Sequence, residues 1–213
     1  MNRENLELEL RSIRHLLSHL HGEVTTLEQS YTQILAVLHR LDGVVATDDL
    51  TGLLRRNSFF KKWEYLLEEC ERMEKTCGIM IIDIDHFKKI NDQYGHATGD
   101  EVIKRVAGLL KQYENSNCIV GRLGGEEFIV AHAADDAETL GLAEYIRRGA
   151  ERTYGPVMDE KGNPNEKIQV KCTLSVGFTS TRKEGFEKKQ LLEAADRALF
   201  VAKNKGRNQV RAA

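Results

Sequence analysis

Four acidic side chains, gathered in two short stretches, are the residues of this 213-residue chain most suited to chemistry. Asp83 and Asp85 close the apolar run Gly78-Ile-Met-Ile-Ile-Asp-Ile-Asp85, which is long enough for a buried strand. The period-2 pleat of a strand puts Asp83 and Asp85 on one face and Ile84 on the other. Glu126 and Glu127 follow Gly124-Gly125 directly and lead into the apolar residues 128–131. A solvated turn needs no such pair, and protecting a sheet edge explains only one of the two. Two carboxylates on a tight Gly-Gly turn suit a metal ion with room for a ligand close to the backbone. After Asp85 come a turn, free helix N–H groups, Lys88 and Lys89, which suit a triphosphate with Mg²⁺. If the glycine turn lies beside the Asp83 strand, Glu126 completes the metal site with Asp83.

The elements that must position these groups follow from hydrophobic period. Residues 118–132 read as two β-like runs joined by Gly-Gly, a β-hairpin. Residues 57–75 read as an amphipathic helix with Phe59, Phe60, Trp63, Leu66, Leu67 and Cys70 on one side. A strand at 79–84 precedes a short helix at 87–94 that Gly95 ends. Helices are expected at 99–114, 136–153 and 188–204. The polar stretch 155–165, with Gly162 and Pro164, reads as a loop or loose hairpin. Residues 168–179 alternate as one strand, with Ile168, Val170, Cys172, Leu174 and Val176 on one face. The order βααββαβ around one central sheet is α+β.

These motifs together resemble the GGDEF family of diguanylate cyclases. The resemblance rests on residues 83–100, Asp-Ile-Asp-His-Phe-Lys-Lys-Ile-Asn-Asp-Gln-Tyr-Gly-His-Ala-Thr-Gly-Asp, and on Gly-Gly-Glu-Glu-Phe at 124–128. Asp48-Asp-Leu-Thr-Gly-Leu53 resembles that family's opening, and Lys203-Asn-Lys-Gly-Arg-Asn208 its close. The match covers about residues 46 to 210, with four motifs in order. It implies a palm-like fold similar to that of nucleotide cyclases and polymerases. It also implies joining two GTP molecules into cyclic di-GMP with release of two pyrophosphates, with Mg²⁺, or Mn²⁺ in its place, as the cofactor.

The resemblance assigns Asp83 and Glu126 as side-chain metal ligands, with Ile84 giving its carbonyl. Asn91 and Asp100 match the guanine-reading pair. Lys88, Lys203 and Arg207 match phosphate contacts, and Phe87 and His96 stand with them among the substrate-binding positions. Gly124 and Gly125 let the nucleotide lie close to the backbone. Glu127 sits by the α-phosphate and the attacking hydroxyl, for positioning or proton transfer. Each has a plainer reading: Asp83 as a strand-end cap, Asn91 and Asp100 as helix caps, Lys203 and Arg207 as ordinary helix-terminal charges. Asp85 reads as structural. Two departures stand out. Arg55 occupies the place of an expected Asn, and Asn115-Ser-Asn-Cys118 replaces the Arg-x-x-Asp with which many members bind their product.

The first 47 residues read differently from the rest. Leu6, Leu10, Ile13, Leu17, Leu20, Val24, Leu27, Tyr31, Ile34, Leu38, Leu41 and Val45 keep a heptad seam without a break. Residues 1–47 are therefore expected to form a coiled-coil dimerisation helix extending roughly 60 Å, and residues 48–213 the catalytic domain. A helical hairpin packed on the globular part is the alternative, with Gly22 the one turn signal near its middle. One domain holds one GTP in the family, so a homodimer through the coil gives the second half-site a high effective concentration. An upstream sensory region or partner would supply the input.

Composition narrows the rest. With 41% hydrophobic and 30% charged residues the chain can build a core under a solvated surface. A formal net charge of −2 gives no field for nucleic acid. No apolar run reaches the length of a membrane span, and the first residues show no signal-peptide core. The four cysteines at 70, 77, 118 and 172 lack zinc spacing and suit a reducing cytoplasm. The same fold also leaves room for a silent nucleotide receptor, a coiled-coil scaffold, or a cyclase making a hybrid guanine–adenine dinucleotide.

Overall fold

Strand β2 (Gly78–Ile84) is buried along its whole length, as an unbroken apolar run requires. In this computed structural model, which describes residues 16, 21–24, 30–31, 46–159 and 161–213, β2 lies third from one edge of a six-stranded sheet. The elements before it are β1 (Leu54–Arg55) and α1 (Arg56–Arg72). After it come α2 (Phe87–Tyr94), α3 (His96–Lys111), β3 (Cys118–Gly124), β4 (Glu127–His132) and α4 (Asp136–Arg152). The chain ends with β5 (Tyr154–Met158), β6 (Pro164–Lys171), β7 (Leu174–Ser180), α5 (Thr181–Glu184), α6 (Lys188–Asn204) and β8 (Val210–Ala212). The sheet order is β1-β3-β4-β2-β7-β8, antiparallel from β3 to β7 and parallel at both edge pairs. The expected α+β order around one central sheet is present.

The pleat of β2 divides the core. Met80, Ile82 and Ile84 join Val102, Val106, Leu110, Ala143 and Ile146 under α3 and α4. Ile79 and Ile81 join Phe59, Trp63, Leu67, Leu191 and Leu199 under α1 and α6. Phe59 and Trp63 are fully buried, and truncating either to alanine would cost about 3–5 kcal/mol. Helix α4 starts on a capping box, in which Asp135 accepts from the Glu138 N–H and Glu138 reaches back to the Asp135 N–H. Helix α6 lies very close to β7. A Cβ on Gly177 would run into the backbone of Ala195 and Leu199, so only glycine admits the helix at this distance. That approach carries the C-terminal end of α6 over the end of β2.

Two expectations need correction. The single strand at 168–179 is two strands in different sheets. β6 pairs only with β5, and β7 pairs with β2. The cause is at the join, where Asp85 takes the Thr173 carbonyl with its N–H and accepts from the Thr173 hydroxyl, pulling the chain across the end of β2. Val170, Cys172, Leu174 and Val176 still share one core, but Ile168 has left it and is 45% exposed. The polar stretch at 155–165 is the irregular β5–β6 hairpin, one of the two readings its composition allowed. Helix α3 begins at His96 rather than 99, because Gly95 alone, at φ 82°, turns the chain between two helices. The short elements β1, α5 and β8 were not expected.

The chain divides into two compact units, 1–45 and 46–213. Of the heptad seam, only Val24 and Tyr31 are among the described residues; both are helical, and they are 52% and 64% exposed. The remaining seam positions, and with them the coiled-coil expectation, lie outside the described residues. Gly22, the turn signal, lies in helix.

Candidate active site

Asp83 stands near the C-terminal end of β2, facing α6, and is 6% exposed. Its cross-strand partner in β4 is Glu127. One residue on, the Ile84 N–H meets the Glu126 carbonyl at 3.4 Å. The glycine turn therefore does lie beside the Asp83 strand, and the three carboxylates are neighbours. Burial, with the charges of Glu126 and Glu127 adding to it, pushes the Asp83 carboxyl above its ordinary value. Lys203, near the end of α6, opposes that shift, its Nζ lying 2.6 Å from Asp83 Oδ2.

The turn between β3 and β4 is held in a shape that needs glycine, with φ 145° at Gly124 and 52° at Gly125. Arg122 fixes it. Its Nε and Nη2 both donate to the Gly125 carbonyl, at 3.0 and 2.7 Å. Its Nη1 donates to Asp48 Oδ1 at 2.9 Å. Asp48 also accepts from the Thr51 N–H and hydroxyl. Burial works to raise the Asp48 carboxyl, but the Thr51 and Arg122 bonds outweigh it and hold the group below its usual range. Arg55 closes the same joint, donating to the Thr47 carbonyl at 2.7 Å and to Asp49 at 2.8 Å. An arginine thus fills the place of the expected Asn by bonding locally.

His86, at φ 57°, reverses the chain after β2 so that α2 starts at the strand end. Lys88 is exposed on its first turn and Phe87 is buried. Asn91 lies inside α2, and its buried Oδ1 has no hydrogen-bond partner. That oxygen lies against Gly99, where a Cβ would strike it, with the Phe87 ring alongside. Asp100, the next residue, is exposed on α3 beyond the first turn, and His96 is exposed at that helix's start. Neither Asn91 nor Asp100 stands at a cap position, so the plainer reading of this pair is not what the fold shows.

Asp85 lies on the same side as Asp83 and is 4% exposed. It accepts from the Ser175 hydroxyl at 2.6 Å, the Thr173 hydroxyl at 2.7 Å and the Asn208 N–H at 2.9 Å. The structural reading of this residue agrees with those bonds. Beyond α6 the chain turns through Gly206, Arg207 and Asn208, all at positive φ. Sequence reasoning placed the carboxylates but missed three ties: Arg122 to Asp48, Lys203 to Asp83, and Asp85 to Asn208. The first had a signal, a lone arginine within a run of apolar and glycine residues.

The oxygen-only set of Asp83, Glu126 and the Ile84 carbonyl suits a hard cation such as Mg²⁺. Among the described residues no three His, Cys, Asp or Glu side chains form a metal site by themselves. Two carboxylates fit the habit of Mg²⁺, which takes one or two from protein and more oxygens from water and phosphate. Burial chiefly, and the charges of Glu126 and Glu127 after it, raise the Asp83 carboxyl, and a cation would favour its ionised form.

Comparisons with known proteins bear on the same residues. Residues 45–209 match the family model described as "Diguanylate cyclase, GGDEF domain". The chain is 36% identical over 190 residues to the "Probable diguanylate cyclase DgcT" of Escherichia coli (strain K12), covering 89% of this chain and 40% of that protein. It is 34% identical to "Diguanylate cyclase A" of Treponema denticola, covering 78% of this chain and 44% of that one. The chain thus spans under half the length of these curated relatives. A crystal structure of the coiled coil and GGDEF domain of DgcB from Caulobacter crescentus, in complex with c-di-GMP, aligns with a TM-score of 0.72 at 28% identity. That alignment covers 91% of this chain and 99% of that one. The active GGEEF domain of a diguanylate cyclase from Vibrio cholerae aligns with a TM-score of 0.64 at 29% identity, covering 75% and 97%. No helix among the described residues is long and apolar enough to cross a membrane.

Proposed function

The chain belongs to the diguanylate cyclase GGDEF-domain family, and from that premise we propose that residues 48–213 condense two GTP molecules into cyclic di-GMP and two pyrophosphates. The observation that carries the reading is the convergence of Asp83, Glu126, Glu127 and Lys203 at one strand end. Asp83, Glu126 and the Ile84 carbonyl would hold Mg²⁺, or Mn²⁺ in its place. When bound, the ion supplies charge neutralisation at the phosphates and a lower pKa for a coordinated hydroxyl.

The protein's own groups do the rest. Asn91 Oδ1 and the Asp100 carboxylate accept hydrogen bonds from guanine N1–H and N2–H₂, a pattern adenine cannot offer. Phe87 and Gly99 pack against the Asn91 oxygen, and His96 is exposed at the start of the same helix as Asp100. The exposed glycines 124 and 125 let the phosphates approach the backbone. Lys88, Lys203 and Arg207 hold the β- and γ-phosphates that leave. In the step itself the 3′-oxygen of one nucleotide bonds to the α-phosphorus of the other. The bond from that phosphorus to the β-phosphate bridge breaks, and the 3′-hydroxyl proton passes to the Glu127 carboxylate or to water.

The reaction needs two such domains facing each other. A homodimer through a coiled coil over residues 1–47 provides them, a reading that rests on the unbroken heptad seam. An upstream sensory region or partner would act through the coil. Four free cysteines suit a cytoplasmic site of action. The test is to incubate the purified protein with GTP and Mg²⁺ and identify products by mass spectrometry, with ATP and a mixture in parallel. Cyclic di-GMP with pyrophosphate is expected. GTP returned intact would overturn the reading, and a mixed guanine–adenine product would change the substrate.

A further inference from the structure

We propose that Asp85 and Asn208 are a positioning pair that sets Arg207 and Lys203 against the reacting phosphates, an inference that rests on the nucleotide-binding reading of the site. Lys203 lies one residue before the end of α6 and Arg207 lies in the turn just past it. The helix end supplies one tie, the Arg207 N–H donating to the Ala202 carbonyl at 3.1 Å. Here Arg207 and Asn208 sit at φ 63° and 44°, left-handed positions that side-chain-bearing residues adopt only when their surroundings hold them.

Two further ties, from outside the helix, hold this turn. The Asn208 N–H donates to Asp85 Oδ2 at 2.9 Å, joining the turn to the chain that leaves β2 two residues after Asp83. The Asn208 side chain is gripped by α4, accepting from Arg147 Nη1 at 2.7 Å and donating to Glu151 Oε1 at 3.1 Å. Arg147 is itself anchored on Glu144 and Glu151, at 3.1 and 3.0 Å. Asp85 is nearly buried and spends both oxygens, one on Ser175 and the other on Thr173 and Asn208. Three of its roughly four acceptor sites are thus taken up by the protein itself. A carboxylate held this way stabilises main-chain geometry around it. The geometry it fixes is the separation between Asp83 and the cations on the end of α6.

The test is a double-mutant cycle on nucleotide affinity, read by equilibrium binding of a fluorescent non-hydrolysable GTP analogue with Mg²⁺. Asp85→Asn removes one acceptor from Asn208 and puts an N–H₂ or a neutral oxygen in its place. Asp85→Asn alone should weaken binding about tenfold or more, as should Arg207→Ala. Combined, the two should weaken it by clearly less than the product of the single losses, because part of the Asp85 effect runs through Arg207 and only the remainder through Lys203. Initial rates should follow, with KM moving more than kcat. Asn208→Ala provides a second arm, since it frees the turn from α4 without touching the sheet, and the same non-additivity is expected. Additive losses in both arms would overturn the proposal, and so would loss of cooperative melting in both variants, since the pair would then only support the core. Failure of the unaltered protein to bind the analogue at all would instead sink the nucleotide-site reading beneath it.

Discussion

Lys203 Nζ lies 2.6 Å from Asp83 Oδ2, so a cation from the last long helix rests on the carboxylate that the central strand presents. Its seat depends on Gly177, since any Cβ there would push α6 off the sheet and take Lys203 with it. The ammonium offsets part of the charge that Glu126 and Glu127 impose on Asp83, but burial and those two neighbours still win, and the Asp83 carboxyl stays raised.

From this balance follows the effect of Glu126→Gln. The side chain is half-buried on a turn and packs no core, so the melting temperature should stay within a few degrees of the original. Removing one negative neighbour should also bring the Asp83 carboxyl down. Activity should fall about a hundredfold or more, because an oxygen ligand of Mg²⁺ is lost. Initial rates across a Mg²⁺ titration check it. A variant with near-full Mg²⁺-dependent turnover would take Glu126 out of the site.

Asp48 governs stability in acid. Its carboxyl is held below its ordinary value in the folded state, so in that window the unfolded chain binds more protons. Its contribution is present above the ordinary carboxylate range, near pH 3.8, and is lost as pH falls through the lowered value. Asp48→Asn should lower stability by about 1–3 kcal/mol at neutral pH, leaving Arg122 without its ionic partner. It should also flatten the loss of stability between about pH 5 and pH 3. Thermal melts of both proteins across that range decide it. Parallel curves would mean the Asp48–Arg122 pair contributes nothing in solution.

Much of this was legible in the sequence, for physical reasons that differ by element. Helix α2 matches its expected span because an amphipathic stretch is closed by Gly95, a local signal. The placing of Glu126 beside Asp83 was legible only as a condition, since a pleat and a tight turn set the register within the 118–132 hairpin and do not say that it pairs with β2. The break between β6 and β7 was not, since it comes from Asp85 catching Thr173 across 88 residues. Strand β8 and the Asn208 tie were hidden for the same reason. The alternation at 168–176 is continuous, and only a distant side chain says where the strand must leave its sheet.

Base choice should respond to Asp100→Ser. The residue is exposed on the second turn of α3, so the change should leave folding intact. Discrimination against ATP should weaken by roughly 1–3 kcal/mol, the scale of a lost bidentate base contact. Asn91, whose buried Oδ1 has no partner within the chain, should keep a residual preference for guanine. Competition between GTP and ATP at equal concentration measures it. An unchanged ratio would mean that guanine is read elsewhere.

The last prediction is that the product does not inhibit through the turn at 115–118. Members of the family that bind product there use an arginine and an aspartate, and this chain has Asn115 and Cys118. The structure removes what remained of a substitute. Asn115 Oδ1 is taken by the Asn117 N–H at 2.8 Å, and its Nδ2 donates to the Tyr113 carbonyl at 3.1 Å. Cys118 is 2% exposed, and burial pushes its thiol up to about 12, so it offers neither charge nor access. A groove of about 280 Å³ beside the turn has Lys62, Glu69, Glu114 and Ser116 in its lining, so its two carboxylates outnumber its one cation. Losing two charge-assisted contacts forfeits roughly 1.5–3 kcal/mol for each hydrogen bond to a charged group. Initial rates at saturating GTP should therefore be flat as cyclic di-GMP is added into the micromolar range. Strong, saturable inhibition under those conditions would show that another surface supplies the missing arginine.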